Sequence, residues 1–126
     1  MRSRLLALSL LTVVACGTQS TPGDGYVLSE WTIDGPVRLT AGTSSLTVEN
    51  AGEFGHTLIV TTESGEVVGA TGLIDAETAA TLRLDLTAGT YTFSCRIVAE
   101  DDEGNLSDHY ERGMYRTVLV AEGQEH

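Results

Sequence analysis

Four side chains in this sequence carry donor atoms suited to a soft or borderline metal. Cys95, His109 and Met114 fall in the stretch YTFSCRIVAEDDEGNLSDHYERGM, and His56 lies well upstream. One thiolate, two imidazoles and a thioether make the donor set of a mononuclear copper site, with the imidazoles and thiolate in a trigonal plane and the Met as a weak axial ligand. Copper suits this set because sulfur favours Cu(I) while imidazole serves both Cu(I) and Cu(II). A geometry between the preferences of the two states needs little rearrangement when one electron is transferred. Binding would deprotonate Cys95 outright. Zinc also accepts one Cys and two His.

Taken singly, each residue has a plainer reading. A strand His is commonly structural, a buried Cys inert and an isolated Met part of the core. The joint supply argues otherwise. Of three His, one is the C-terminal His126, and of two Met, one is the initiator. The remaining donors fit one site, and His126 is given no role.

The elements that must position these donors have a periodicity of two. Expected strands run over Tyr26 to Ile33, Ser45 to Asn50, His56 to Thr61, Glu66 to Val68, Thr81 to Leu86, Thr90 to Cys95 and Thr117 to Val120. Asp34-Gly35-Pro36, Asn50-Ala51-Gly52 and Ala88-Gly89 supply turns. Asp75 to Ala80 reads as one helical turn in a connection. Strand phase places Cys95 with Tyr91 and Phe93, and His56 with Leu58 and Val60, so both point inward. Seven or eight short strands at regular spacing predict an all-β, Greek-key β-sandwich, whose loops cluster at its two ends.

At the N-terminus, Arg2 and Arg4 precede an apolar run from Leu5 to Val14, and Ala15 stands before Cys16. Residues 1–15 therefore read as an export signal, and the run is too short for an ordinary membrane span. The VVAC ending at Cys16 resembles the lipobox of bacterial lipoproteins, which implies cleavage before Cys16 and lipid on its sulfur. Residues 16–25 read as a lipidated, flexible tether and 26–126 as one domain. A lipidated Cys16 leaves Cys95 without a disulfide partner. In an oxidising compartment that raises the expectation of burial or metal ligation.

Loss of residues 1–15 would leave 111 residues with five arginines, no lysine and eighteen acids, a formal charge of −13. So acidic a surface argues against nucleic acid and anionic lipid, and suits a basic protein partner or plain solubility.

From Tyr26 to Val120 the chain resembles the cupredoxins, in particular plastocyanin-like and pseudoazurin-like copper proteins. The resemblance rests on LTVENAG followed by HTLIV at His56, AGTYTFSC ending at Cys95, and HYERGM from His109 to Met114. It implies one copper ion held by His56, Cys95, His109 and Met114, and electron-carrier activity in a monomer. Thr57 and Ser94 are candidates to donate toward the thiolate or fix loop geometry. One departure stands out: thirteen residues, Arg96 to Asp108, separate Cys95 from His109, where family members have only a few. Lengthening a surface loop costs little closure entropy. Its acids, Glu100, Asp101, Asp102, Glu103 and Asp108, read as a solvated insert, a docking patch for a basic redox partner, or a weak calcium loop without EF-hand spacing.

The leading expectation is a one-electron carrier, not an enzyme, on the outer face of a bacterial membrane or in the periplasm. Copper storage, delivery or sensing with the same ligands is a second class. A metal-free, Ig-like binding module is a third.

Overall fold

The computed structural model describes residues 25–123. The signal segment, Cys16, most of the tether and His126 lie outside them. Eleven strands are present among the described residues: β1 (Gly25–Ser29), β2 (Thr32–Asp34), β3 (Arg38–Thr40), β4 (Gly42–Asn50), β5 (Ile59–Thr62), β6 (Val67–Ala70), β7 (Ala79–Leu86), β8 (Gly89–Ser94), β9 (Val98–Glu100), β10 (Leu106–Asp108) and β11 (Tyr115–Ala121). They form a two-sheet, all-β sandwich. One sheet has the order β2-β1-β4-β7 and the other β3-β11-β8-β5-β6, with β9 and β10 paired only to each other. The β1–β4 and β3–β11 pairs are parallel and the rest antiparallel.

Alternation decides which face of each strand meets the core. On β7, Leu82, Leu84 and Leu86 are buried while Thr81, Arg83 and Asp85 face solvent. Leu46 and Val48 of β4, Val60 of β5, Tyr91 and Phe93 of β8, and Val118 and Val120 of β11 oppose or flank them. Tyr26 and Phe93 join the two sheets, their ring centroids 5.0 Å apart. Full burial of one such side chain contributes about 1.5–3 kcal/mol. The Tyr91 hydroxyl donates to the Thr87 carbonyl at 2.8 Å and ties the β7–β8 corner to the core strand.

Several sequence expectations need correction. The single strand over Tyr26 to Ile33 is a hairpin, broken by a turn at Glu30 and Trp31. Apolar phase changes there: Leu28 is buried in β1 and Ile33 in β2, five residues apart, which no straight strand allows. Asp75 to Ala80 is not helical. The chain turns at Ala76 and Glu77, with Glu77 at φ 65°, and β7 has begun by Ala79. His56 lies outside β5 and pairs with Ile74 as an isolated bridge. The strand count exceeds seven or eight because β3, β9 and β10 have three residues each and little apolar pattern to announce them.

Candidate metal centre

Cys95 follows directly on β8, and its amide donates to the Met114 carbonyl at 3.0 Å. His109 is brought back to that strand end by the insert itself. The thirteen residues close into the β9–β10 hairpin, with Val98 paired to Asp108, and the His109 amide donates to the Ile97 carbonyl at 2.9 Å. The ends of the insert therefore lie side by side, and its length does not displace the imidazole. At the hairpin tip, the Asp101 carboxylate accepts from the amides of Glu103 and Asn105 and from the Asn105 side chain. Those bonds, the Asn105 amide foremost, hold its pKa below the ordinary value.

Between His109 and Met114 the chain makes a tight turn. The Met114 amide donates to the His109 carbonyl at 3.1 Å, and the Gly113 amide to the Tyr110 carbonyl at 2.9 Å. Gly113 has φ 109°, a region open to glycine and costly for other residues. Met114 is fully buried.

His56 is held from a different side. Its amide and carbonyl bond to Ile74 at 3.2 and 2.8 Å. Asn50, fully buried, braces the loop before it. The Asn50 amide group donates to the carbonyls of Phe54 and Ile74, and its carbonyl oxygen accepts from the Gly52 amide, all at 2.8 Å.

These elements bring together His56, Cys95 and His109, whose donor atoms all lie within 4.8 Å of one another. Cys95 Sγ is 3.8 Å from His56 Nδ1 and 3.5 Å from His109 Nδ1. For bonds of about 2.3 Å to sulfur and about 2.0 Å to nitrogen, trigonal to tetrahedral coordination requires S···N separations of about 3.5–3.7 Å. The two S···N separations are thus close to those of ligands on one small ion. Both imidazoles are sealed, His56 0 % and His109 1 % exposed, and Cys95 is a free, buried thiol. Burial, followed by repulsion from His56, holds the His109 pKa below its ordinary value against the attraction of Glu30 and Asp108. That keeps the ring neutral and its lone pair available. Thr57 faces the sulfur, with its amide at 3.5 Å and its hydroxyl at 3.8 Å. Ser94 is buried but is not among the sulfur's hydrogen-bond partners.

Two contributors were not foreseen from the sequence, and both come from the β1–β2 turn. Glu30 accepts from His56 Nε2 at 2.9 Å and from the amides of Glu53 and Phe54 at 3.0–3.2 Å. A carboxylate can only accept, so Nε2 carries the proton and Nδ1 keeps its lone pair toward Cys95. Burial works against the charge on Glu30, but the Glu53 amide, the His56 ring and the Phe54 amide outweigh it, and its pKa is lowered. Trp31 stands edge-on to His109 at 4.8 Å and to His56 at 6.4 Å, with the Arg112 guanidinium 4.9 Å from the indole centre. Outside it a cleft of about 370 Å³ opens between Phe54, Leu106 and Ala99. The change of apolar phase between Leu28 and Ile33 was the available signal for this turn.

No protein-family model matches the chain, and no curated protein matches it in sequence. Solved structures do share its fold. Auracyanin from the photosynthetic bacterium Roseiflexus castenholzii superposes with TM-score 0.60 at 17% identity, covering 77% of this chain and 94% of that one. Auracyanin A from Chloroflexus aurantiacus, described as a "blue" copper protein, gives TM-score 0.57 at 14% identity, covering 76% and 98%. A multi-copper oxidase from Pediococcus acidilactici gives TM-score 0.58 at 12% identity over 99% of this chain but 34% of its own.

Proposed function

We propose that this protein is a mononuclear copper protein that carries single electrons on the outer face of a bacterial membrane, tethered by lipid on Cys16. The observation that carries the reading is the meeting of two imidazole Nδ1 atoms and one thiol sulfur, sealed from water at one end of a sandwich. His56, Cys95 and His109 would hold the ion, with the Met114 thioether as a fourth, weaker donor. When bound, copper supplies a one-electron couple between Cu(II) and Cu(I). The chain supplies the rest. The Cys95–Met114 and His109–Met114 backbone bonds fix three of the donors relative to one another. Thr57 faces the sulfur with two donors, and Trp31 covers His109.

The fold shared with auracyanin A supports copper, and the chain's limited donor supply supports a carrier over an oxidase. Among the described residues one His/Cys cluster occurs, and the third His is the C-terminal His126. The exposed acids Glu100 and Asp101 line the cleft beside His109, Asp102 and Glu103 follow them in the exposed hairpin tip, and together they suit a basic redox partner of this monomer.

The test is spectroscopic. Purified protein given Cu(II) develops intense visible sulfur-to-copper charge transfer and is reduced and reoxidised reversibly by one electron. Cys95→Ala abolishes both. A protein that stays colourless sinks the reading, and one that binds Cu(I) without facile redox cycling and hands it on rapidly is a delivery protein instead.

A further inference from the structure

The β1–β2 hairpin has only two residues at its tip, and the first of them reaches the wall of the metal site. Glu30 gathers three donors from one loop: the Glu53 amide, the Phe54 amide and His56 Nε2. The loop is shaped to receive it. A Cβ on Gly52 would fall 2.2 Å from Glu30 Oε2, so any larger residue there would displace the carboxylate. Asn50 braces the same loop from the core side. The carboxylate side chain remains 23 % exposed, while the imidazole it grips is 0 % exposed.

We propose that Glu30 is a positioning residue for the metal: it fixes His56 with Nδ1 toward the ion and places a negative charge one imidazole away, which favours the oxidised state. This rests on the copper reading above. A carboxylate behind a ligating imidazole orients the ring and raises its basicity. Negative charge near the ion stabilises Cu(II) more than Cu(I), because the oxidised ion carries one more positive charge. The electron balance is that of one electron added to Cu(II) to give Cu(I), with no proton required at Glu30.

A plainer role would confine Glu30 to tying down the loop amides. Glu30→Gln separates the two. A Gln oxygen in the position of Oε2 still accepts from His56, Phe54 and Glu53; the charge is lost, and the Gln NH2 in the position of Oε1 turns a donor toward the Glu53 amide in place of an acceptor. Glu30→Ala removes the grip altogether.

Two measurements decide. In the metal-free protein, nitrogen NMR of His56 reports the tautomer: the unaltered chain and Glu30→Gln hold the proton on Nε2, while Glu30→Ala shows a mixture. In the copper protein, Cu(II) affinity in Glu30→Gln falls roughly 10- to 100-fold, and Cu(I) affinity falls by less. Each tenfold change in the affinity ratio raises the one-electron potential by about 59 mV. An unchanged ratio in Glu30→Gln, even with a lowered melting temperature, leaves only the loop-tying role and overturns the electrostatic claim. An unchanged tautomer in Glu30→Ala overturns the positioning claim. A wild-type protein that takes up no copper fails the function proposed above, and the tautomer measurement still decides by itself whether Glu30 grips the ring.

Discussion

The Cys95 amide donates to the Met114 carbonyl at 3.0 Å, so the two sulfur-bearing residues of the site are joined directly through main chain. Because the Met114 amide donates to the His109 carbonyl as well, Cys95, His109 and Met114 form one unit linked through backbone, and His56 is brought to it from another loop. A metal that bridges the two parts binds the folded chain more tightly than the unfolded one, whose donors are not held together.

Copper is therefore expected to stabilise the protein strongly. At a free concentration one hundred times the dissociation constant the gain is about 2.7 kcal/mol, which raises the melting temperature by roughly 10–20 °C for a domain near 100 residues. Cys95→Ala abolishes that gain in a thermal scan.

Met114→Leu conserves volume and costs less than about 1.5 kcal/mol in the metal-free protein. On the copper reading it removes a fourth donor and leaves three, a lower coordination number that suits Cu(I) better than Cu(II), so the reduction potential rises. Voltammetry that shows an unchanged potential would place the thioether outside the coordination sphere.

Asn50 holds three backbone groups within the loop leading to His56. Asn50→Ala leaves the Phe54 and Ile74 carbonyls and the Gly52 amide without that partner. A loss on the order of 3 kcal/mol follows in urea unfolding of the metal-free protein. The surviving folded protein binds copper less tightly, since the loop that aims His56 has lost its brace.

Trp31 shields His109, and Trp31→Ala opens the imidazole to water. The indole is partly buried, so the cost falls near ~2 kcal/mol, below the roughly 3–5 kcal/mol of a fully buried Trp. Stopped-flow reduction of the Cu(II) protein by a small hydrophilic reductant becomes faster, because the reagent approaches His109 directly. An unchanged rate would mean that electrons enter by another face.

The parts legible in the sequence were those written in alternation. Leu82, Leu84 and Leu86, or Tyr91 and Phe93 before Cys95, announce a strand and its inward face from residue type alone. The inward aim of His56 and Cys95 was legible in strand phase, whereas His109 as their partner was expected from the limited donor supply and the resemblance to cupredoxins. Glu30 and Trp31 escaped because a two-residue turn with neither glycine nor proline carries no conformational signature. The break in phase between Leu28 and Ile33 was the sole mark. The β9–β10 hairpin escaped for a related reason: it is polar and exposed, and its turn is made by the Asp101 side chain, with no apolar stripe.

The pH dependence of the metal-free fold follows from three lowered pKa values, those of His109, Glu30 and the exposed Asp101, whose effects add. His109 folds with its pKa below the ordinary 6.5, so between its folded and unfolded values the unfolded chain binds more protons. Stability from this ring is complete above the unfolded value and is lost as pH falls through that window. Glu30 also folds with a lowered pKa, below the ordinary 4.5, so its contribution persists above that value and disappears as pH drops to the folded one. The urea midpoint of the metal-free protein should hold steady from about pH 8 to 7, decline as pH passes below about 6.5, and decline again below about 4.5. Glu30→Gln reduces the lower step, to which Asp101 still contributes below its ordinary 3.8, and leaves the upper one. A midpoint that rises on acidification from about pH 7 to 5 would contradict the burial of a neutral His109.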